Sequence, residues 1–315
     1  QNLHFRKMVQ SLVFAFALIS GAFGAFRSHN TEKVFLEERE ILDYVPNGKQ
    51  LVVKRANRKP VMFTHIHKSG GTSLCKMAQM AGEKIPKPNK NCNYVGKWTD
   101  SFLGIKMPDY AKEHHHFTSC NERKKIWRWH GWTFAGIERY IDEGDFCNDF
   151  LNVIMLRHPT SRLESYLNYG AEKGWRHYEI GGEPDRKTLQ KCLDHGECEN
   201  VMHQHQIDNY ITRTLAGPEA SATEYRNLTT SHLQLAKAQL QKYDHVVFLE
   251  ELSKENKLNE LLDTLGWELT EGDILHGSHR NNVEKKYSFS TEAQRRLSKI
   301  NDLDIKLYNW AKSMK

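Results

Sequence analysis

"HIHKSGGTSL", residues 65–74, closes a short apolar run and passes through a lysine, two glycines and three hydroxyl side chains into a stretch with helical spacing. With the preceding "PVMFT" it reads as a strand, a glycine turn and a helix N-terminus. Such a turn points backbone N–H groups at a ligand from the positive end of a helix, which is the geometry that holds a phosphate or a similar anion. Gly70 and Gly71 let the backbone come close; Lys68 sets a cation on the anion, and Ser69, Thr72 and Ser73 add hydroxyl donors. The lysine precedes the glycines, whereas the nucleoside-triphosphatase loop G-x-x-x-x-G-K-[ST] has it after them.

A second strand–turn–helix follows in "VIMLRHPTSRLESYLNY" (153–169), with Pro159 at the turn. Arg157 sits at the carboxyl end of the strand and Ser165, in the second turn of the helix, is near enough for both to grip one phosphate; Ser161 and Arg162 read as surface partners of Glu164. In an open α/β sheet ligands bind beyond the carboxyl ends of the strands, so two such elements on neighbouring strands converge on one crevice.

Apolar runs at 60–66, 125–129 ("KIWRW"), 151–156 and 245–250 read as strands. Helical periodicity marks 72–81, 134–142, 160–170, 203–215, 231–242, 254–265 and 291–313. The last has Ser290 as its cap and one apolar stripe of Ala293, Leu297, Ile300, Leu303, Leu307 and Trp310. Alternating strands and helices predict an α/β fold, a mostly parallel central sheet flanked by helices. Residues 89–122 carry little pattern and read as an irregular insertion.

The chain has 315 residues, 39% hydrophobic and 27% charged, enough for one large α/β domain or two small ones. Its formal charge of +6 is spread without a basic tail, which suits a small anionic ligand and gives no reason to expect nucleic acid. Residues 1–26 carry Arg6 and Lys7 and then an apolar stretch from Leu12 to Phe26, a signal peptide or a signal anchor; Ala22, Gly24 and Ala25 permit cleavage, and the length just spans a bilayer. Residues 27–58 read as a stem, and 59–315 as the functional domain. In a secretory compartment the six cysteines are free to pair. Cys192 and Cys198 bracket a short loop, Cys92, Cys120 and Cys147 are further candidates, and Cys75 reads as a buried thiol. The sequon Asn227-Leu228-Thr229 agrees with a lumenal surface loop.

Together, "HIHKSGGTSL" and the Arg157-to-Ser165 spacing in "RHPTSRLES" resemble the 5′-phosphosulfate loop and the 3′-phosphate motif of sulfotransferases that use 3′-phosphoadenosine 5′-phosphosulfate (PAPS). The resemblance extends to membrane-bound carbohydrate sulfotransferases, particularly the heparan sulfate 6-O-sulfotransferases, through "IDNYITRTLAG" (207–217), "HRNNVE" (279–284) and "INDLDIKLYNWAK" (300–312). It spans about residues 60–315, and 82–122 depart from it. It implies a P-loop-NTPase-like sulfotransferase fold, PAPS as co-substrate without a metal, an anionic polysaccharide as acceptor, and a single-pass Golgi membrane protein with its catalytic domain in the lumen, or a secreted one if the N-terminal segment is cleaved. Lys68 would neutralise the phosphosulfate, Ser69, Gly70, Gly71, Thr72 and Ser73 would cradle the 5′-phosphate, Arg157 and Ser165 would take the 3′-phosphate, and Arg280 would close over the phosphates.

Sulfuryl transfer to an alcohol also needs a group that takes the hydroxyl proton. "KIWRWHGWTF" places His130 where the expected strand 125–129 ends, in a setting similar to the family's H-x-x-W with the spacing one shorter, and it is the expected base; His67 and Glu250 come next. His114, His115 and His116 are adjacent and cannot all face one ion, so no metal is expected. Two other functions fit less of the sequence: an ATP-dependent small-molecule kinase, which needs a metal-binding acid at a strand end where only Glu250 and Glu251 serve, and a secreted glycan-binding protein without catalysis.

Overall fold

A computed structural model describes residues 58–86, 91–93, 120–141, 143–173, 175, 182–270 and 287–314. Its strands are β1 (Val61–His65), β2 (Phe134–Ile137), β3 (Leu151–Leu156) and β4 (His245–Phe248). All pair in parallel in the order β2-β1-β3-β4. The helices are α1 (Gly71–Met80), α2 (Cys120–His130), α3 (Pro159–Glu172), α4 (Arg186–His195), α5 (Gln204–Ile207), α6 (Tyr210–Leu215), α7 (Pro218–Ala222), α8 (Thr230–Leu240), α9 (Glu255–Leu265), α10 (Thr291–Ile300) and α11 (Asp302–Ser313). The parallel sheet covered by helices is the α/β architecture expected from the alternating pattern.

Side chains alternate across the sheet. Val61, Phe63, Val153 and Met155 pack on one face against Leu74 and Met77 of α1 and Leu261 and Leu265 of α9. Met62, Ile137, Ile154 and Leu156 pack on the other against Trp127 of α2, Ile211 of α6, Leu233 of α8 and Leu307 of α11. Burial on both faces explains why these strands read as unbroken apolar runs. A third cluster, with Leu163 and Leu167 of α3 and Leu297 of α10, lies beside the sheet.

Two expectations exchange places. "KIWRW" is not a strand but the end of α2, and 134–142 is not a helix, because its first four residues are β2. In α2, Arg123 and Trp127 stand one turn apart and both are buried; Arg123 donates to the backbone carbonyl of Asp145 (2.6 Å) and pairs with its carboxylate (3.0 Å). That helical face is charged at one of its two anchors, so apolar counting misses it. The "FAGI" strand packs closely against residues 91–93: a Cβ on Gly136 would lie 2.8 Å from Asn93 Oδ1 and displace that side chain.

The expected helices 203–215 and 291–313 each break, and the two breaks clasp each other. Asn209, at φ 47°, offers Oδ1 to the amides of Leu303 (2.9 Å) and Asp304 (3.0 Å) at the start of α11. The fully buried Asp304 carboxylate returns bonds to the amides of Ile211 (2.9 Å) and Thr212 (2.7 Å) at the start of α6. Asn301 Oδ1 accepts from the Asn209 amide, and its Nδ2 donates to the Ile207 carbonyl. Each helix start thus gets the acceptor its orphan amides need from the other segment.

All six cysteines are paired, as Cys75–Cys92, Cys120–Cys147 and Cys192–Cys198. Cys75 is therefore not a thiol; it ties α1 to residues 91–93, which bridge to Gly136 of β2. Among the described residues no helix is long and apolar enough to cross a membrane, and residues 1–57, with the expected anchor and stem, lie outside them.

Asp304→Ala should lower unfolding free energy by about 1–3 kcal/mol for each amide it orphans, and Asp304→Asn by less, since one acceptor oxygen remains. Urea denaturation measures both. A loss for Asp304→Ala within about 0.5 kcal/mol, typical of surface substitutions, would contradict the clasp.

Candidate active site

Because β1 lies between β2 and β3, the chain leaving its carboxyl end is flanked by the residues that follow those strands. The loop after β1 turns sharply: Lys68 has φ 64°, Gly70 has φ 89°, and the Ser69 amide returns to the Ile66 carbonyl (3.0 Å). Gly70 caps α1 with no side-chain bond. Both glycines are sterically required. A Cβ on Gly70 would stand 2.9 Å from Leu249 Cδ1, and one on Gly71 would stand 2.1 Å from the His65 imidazole.

The hydroxyls of Ser69 and Ser73 are buried and have no hydrogen-bond partner among the described residues. Buried donors without partners are costly, and an anion over the α1 N-terminus would satisfy them. Thr72 differs, since its hydroxyl donates to Asn91 Oδ1 (2.9 Å).

Beyond β3 stands Arg157, almost fully buried, whose Nη1 donates to the Lys68 carbonyl (3.1 Å). Burial, with the Arg162 charge nearby, pulls its pKa down to about 10 against the attraction of Glu250 and Glu164. Glu250, beyond β4, accepts from the His158 amide (2.8 Å) and the Tyr308 hydroxyl (2.9 Å). It fixes the turn that carries Arg157. The half-buried Lys68 holds its Nζ 4.0 Å from the centre of the Tyr169 ring of α3. Burial and the Arg157 charge lower its pKa to about 7, Glu172 and Glu138 opposing. Two cations at one turn disfavour each other until an anion arrives.

Beyond β2 stands Glu138. Its Oε1 lies 2.9 Å from His67 Nδ1 and its Oε2 lies 3.4 Å from His65 Nδ1 and accepts from Asn93 Nδ2 (2.7 Å). Burial favours the neutral acid, but the two imidazoles outweigh it and hold the carboxyl well below the usual range. His67, 5% exposed, is pulled by burial down to about 4, although Glu138 raises it; Lys68 and His65 add to the lowering. Its ring meets Tyr166 and Tyr169 edge-on.

The expected phosphate residues are thus gathered around one turn: Lys68, Ser69, Gly70, Gly71, Thr72 and Ser73 on it, and Arg157 bonded to it. Ser165 sits half-buried in the second turn of α3, on the helix that follows Arg157. Arg280 and the His114–His116 cluster lie outside the described residues. Arg162 is not a surface partner of Glu164 but is fully buried, donating to Gln206 Oε1 (3.0 Å).

His130 is not brought to the turn. It ends α2 before β2 begins, and Phe134 is in register with Val61, so it stands at the amino end of the sheet while the turn is at the carboxyl end. The five residues of β1 between them span about 16 Å. His130 is exposed and stacks on Trp132 with ring centres 4.3 Å apart. The expectation failed with the strand: a histidine at the end of "KIWRW" is at a sheet's carboxyl edge only if that segment is a strand. The same exchange hid Glu138, the acid that does follow a strand. The signal was available in "FAGIE", a four-residue apolar run too short for a buried helix and ending in a charge.

Among the described residues no cluster of histidine, cysteine and carboxylate side chains is arranged to hold a metal ion. No curated protein and no solved structure matches the chain. The family model described as the sulfotransferase family matches residues 51–311, from before β1 to near the end of α11, with all the residues gathered at the turn inside it. A buried anion cradle of glycines, hydroxyls, a lysine and an arginine at the carboxyl edge of a parallel sheet fits PAPS, the donor this family implies. The chain belongs to the sulfotransferase family and is a sulfotransferase enzyme.

Proposed function

We propose that the protein moves a sulfuryl group from PAPS to a hydroxyl of a carbohydrate, an anionic glycosaminoglycan-like polysaccharide, as the heparan sulfate 6-O-sulfotransferases it resembles do. The observation that carries the donor half is the Arg157–Lys68 hydrogen bond, which unites the two phosphate motifs in one site. In this reading the α1 amides with Ser69 and Ser73 hold the 5′-phosphate, Arg157 and Ser165 the 3′-phosphate, and Lys68 stabilises charge on the oxygen that leaves sulfur. Arg280, outside the described residues, is proposed to close over the phosphates.

The acceptor half rests on the segments 207–217, 279–284 and 300–312 that resemble the carbohydrate enzymes, and on the excess of positive charge. In this reading residues 1–26 are an anchor or signal, 27–58 a stem and 59–315 a catalytic domain in the Golgi lumen, and the three disulfides support an oxidising compartment. A kinase is disfavoured, because Glu250 is engaged by His158 and Tyr308. Incubation with labelled PAPS and a panel of native and desulfated glycans tests the reading. Label on a sugar hydroxyl supports it; label only on small phenols or steroids would overturn the carbohydrate acceptor, and no transfer at all would favour a binding protein.

Arg157→Ala should weaken PAP, the desulfated product, by about 10- to 100-fold, the loss of a charge-assisted bond worth roughly 1.5–3 kcal/mol. Preference for PAP over the analogue without the 3′-phosphate should fall equally; an unchanged preference would move the 3′-phosphate elsewhere.

Lys68 must be protonated to meet the leaving oxygen, and its pKa lies at about 7 in the free protein. The kcat/KM for PAPS should therefore fall as pH rises through about 7, since that ratio reports the free enzyme. Lys68→Arg, which does not titrate in this range, should lack the limb. A limb unchanged in that variant would assign it to another group.

A further inference from the structure

With His130 at the far end of the sheet, the acid–base groups that stand at the turn among the described residues are His67 and Glu138. We infer that His67, held by Glu138, takes the proton from the acceptor hydroxyl, and that Glu138 is a positioning residue for it. The inference rests on the sulfuryl-transfer reading and deepens it.

Three features separate the two candidates for this work, His67 and Glu138. First, the Glu138 carboxylate is already engaged: His67 Nδ1 approaches one oxygen, and Asn93 Nδ2 and His65 Nδ1 approach the other. A carboxylate so supplied with donors is a poor proton acceptor. Secondly, an ionised carboxylate can only accept, so the 2.9 Å contact requires the proton on His67 Nδ1. In a neutral imidazole the lone pair is then on Nε2, on the side of the ring away from Glu138. Thirdly, His67 is adjacent in sequence to Lys68, and both side chains meet the Tyr169 ring. The base is thereby held next to the lysine that faces the leaving oxygen.

The same contact serves the reaction. As the acceptor oxygen forms its bond to sulfur, the bond from sulfur to the 5′-phosphate oxygen breaks and that oxygen keeps the electron pair, giving PAP. The hydroxyl proton passes to His67 Nε2, and the resulting imidazolium is stabilised by the Glu138 carboxylate, as in other carboxylate–histidine pairs. The proton then leaves to solvent. The charged and titratable groups facing His67 are Glu138 beyond β2, His65 and Lys68 on its own segment, and the rings of Tyr166 and Tyr169 on α3. Burial, Lys68 and His65 favour the neutral ring, and Glu138 opposes them.

Two measurements test the assignment. Nitrogen-15 NMR of histidine in the PAP-bound protein should show His67 as the neutral Nδ1–H tautomer from about pH 5 upward. An Nε2–H tautomer, or a cation at pH 7, would overturn it. Kinetics with labelled PAPS and chemically desulfated heparin as the probe acceptor give the second test. His67→Gln should lower kcat by about 10²- to 10⁴-fold with PAP affinity within a few-fold, and should remove the acid limb of kcat/KM, expected near pH 4. Glu138→Gln should cost less, and should shift that limb to lower pH because the charge that raises the His67 pKa is gone. If Glu138→Gln loses as much as His67→Gln was expected to and His67→Gln stays active, Glu138 is itself the base. If His130→Ala, which should keep near-normal turnover, removes the limb instead, the dyad assignment fails while sulfuryl transfer stands. If the wild-type protein transfers label to no glycan of the panel, the underlying reading fails, and this assignment with it.

Discussion

The guanidinium of Arg157 donates to the carbonyl of Lys68, and the active site is organised around that bond. It joins the residue that follows β3 to the turn that follows β1, so the parallel pairing of two strands sets the spacing between the two segments proposed to hold the phosphates. The constraint propagates outward. Arg157 is held by a turn whose next amide is bonded to Glu250 beyond β4, and Glu250 is held by Tyr308 of α11. On the other side, the turn meets Glu138 beyond β2 through His67. Every strand of the sheet therefore places one ionisable group at the same edge, which is the consequence of parallel order that an antiparallel sheet would not give.

This edge is electrostatically unfinished without an anion. Burial lowers the pKa of both Lys68 and Arg157, the Arg157 charge lowers that of Lys68 further, and among the described residues two serine hydroxyls lie buried without partners. Such groups are destabilising in an isolated fold and stabilising around a doubly charged ligand, so binding and local order are coupled. The reciprocal caps between Asn209, Asn301 and Asp304 fix the starts of α6 and α11 against each other.

How much could be read from sequence followed from how each element is stabilised. β1, β3 and β4 are apolar on both faces, and "HIHKSGGTSL" can do little else than turn, so the fold class and the glycine turn between β1 and α1 were legible. α2 and β2 were not. α2 is held by the buried Arg123–Asp145 pair and by Cys120–Cys147, partners 22 and 27 residues away, and such bonds leave no periodic trace. β2 is four residues with glycine third, a weak signal in isolation that becomes a strand through Phe63 and Asn93 beside it. The exchange of these two elements carried His130, the expected base, away from the turn. Cys75 misled for a similar reason, because its partner Cys92 lies in a segment without pattern.

The central claim is that the carboxyl edge of the sheet binds one PAPS-derived nucleotide through both phosphate motifs at once. A crystal structure of the protein with PAP tests it most directly. The 5′-phosphate should lie over the amides of Gly70 to Ser73 with the Ser69 and Ser73 hydroxyls within hydrogen-bond distance, and the 3′-phosphate should meet the Arg157 guanidinium. PAP bound elsewhere, or bound at the turn with its 3′-phosphate away from Arg157, would contradict the account.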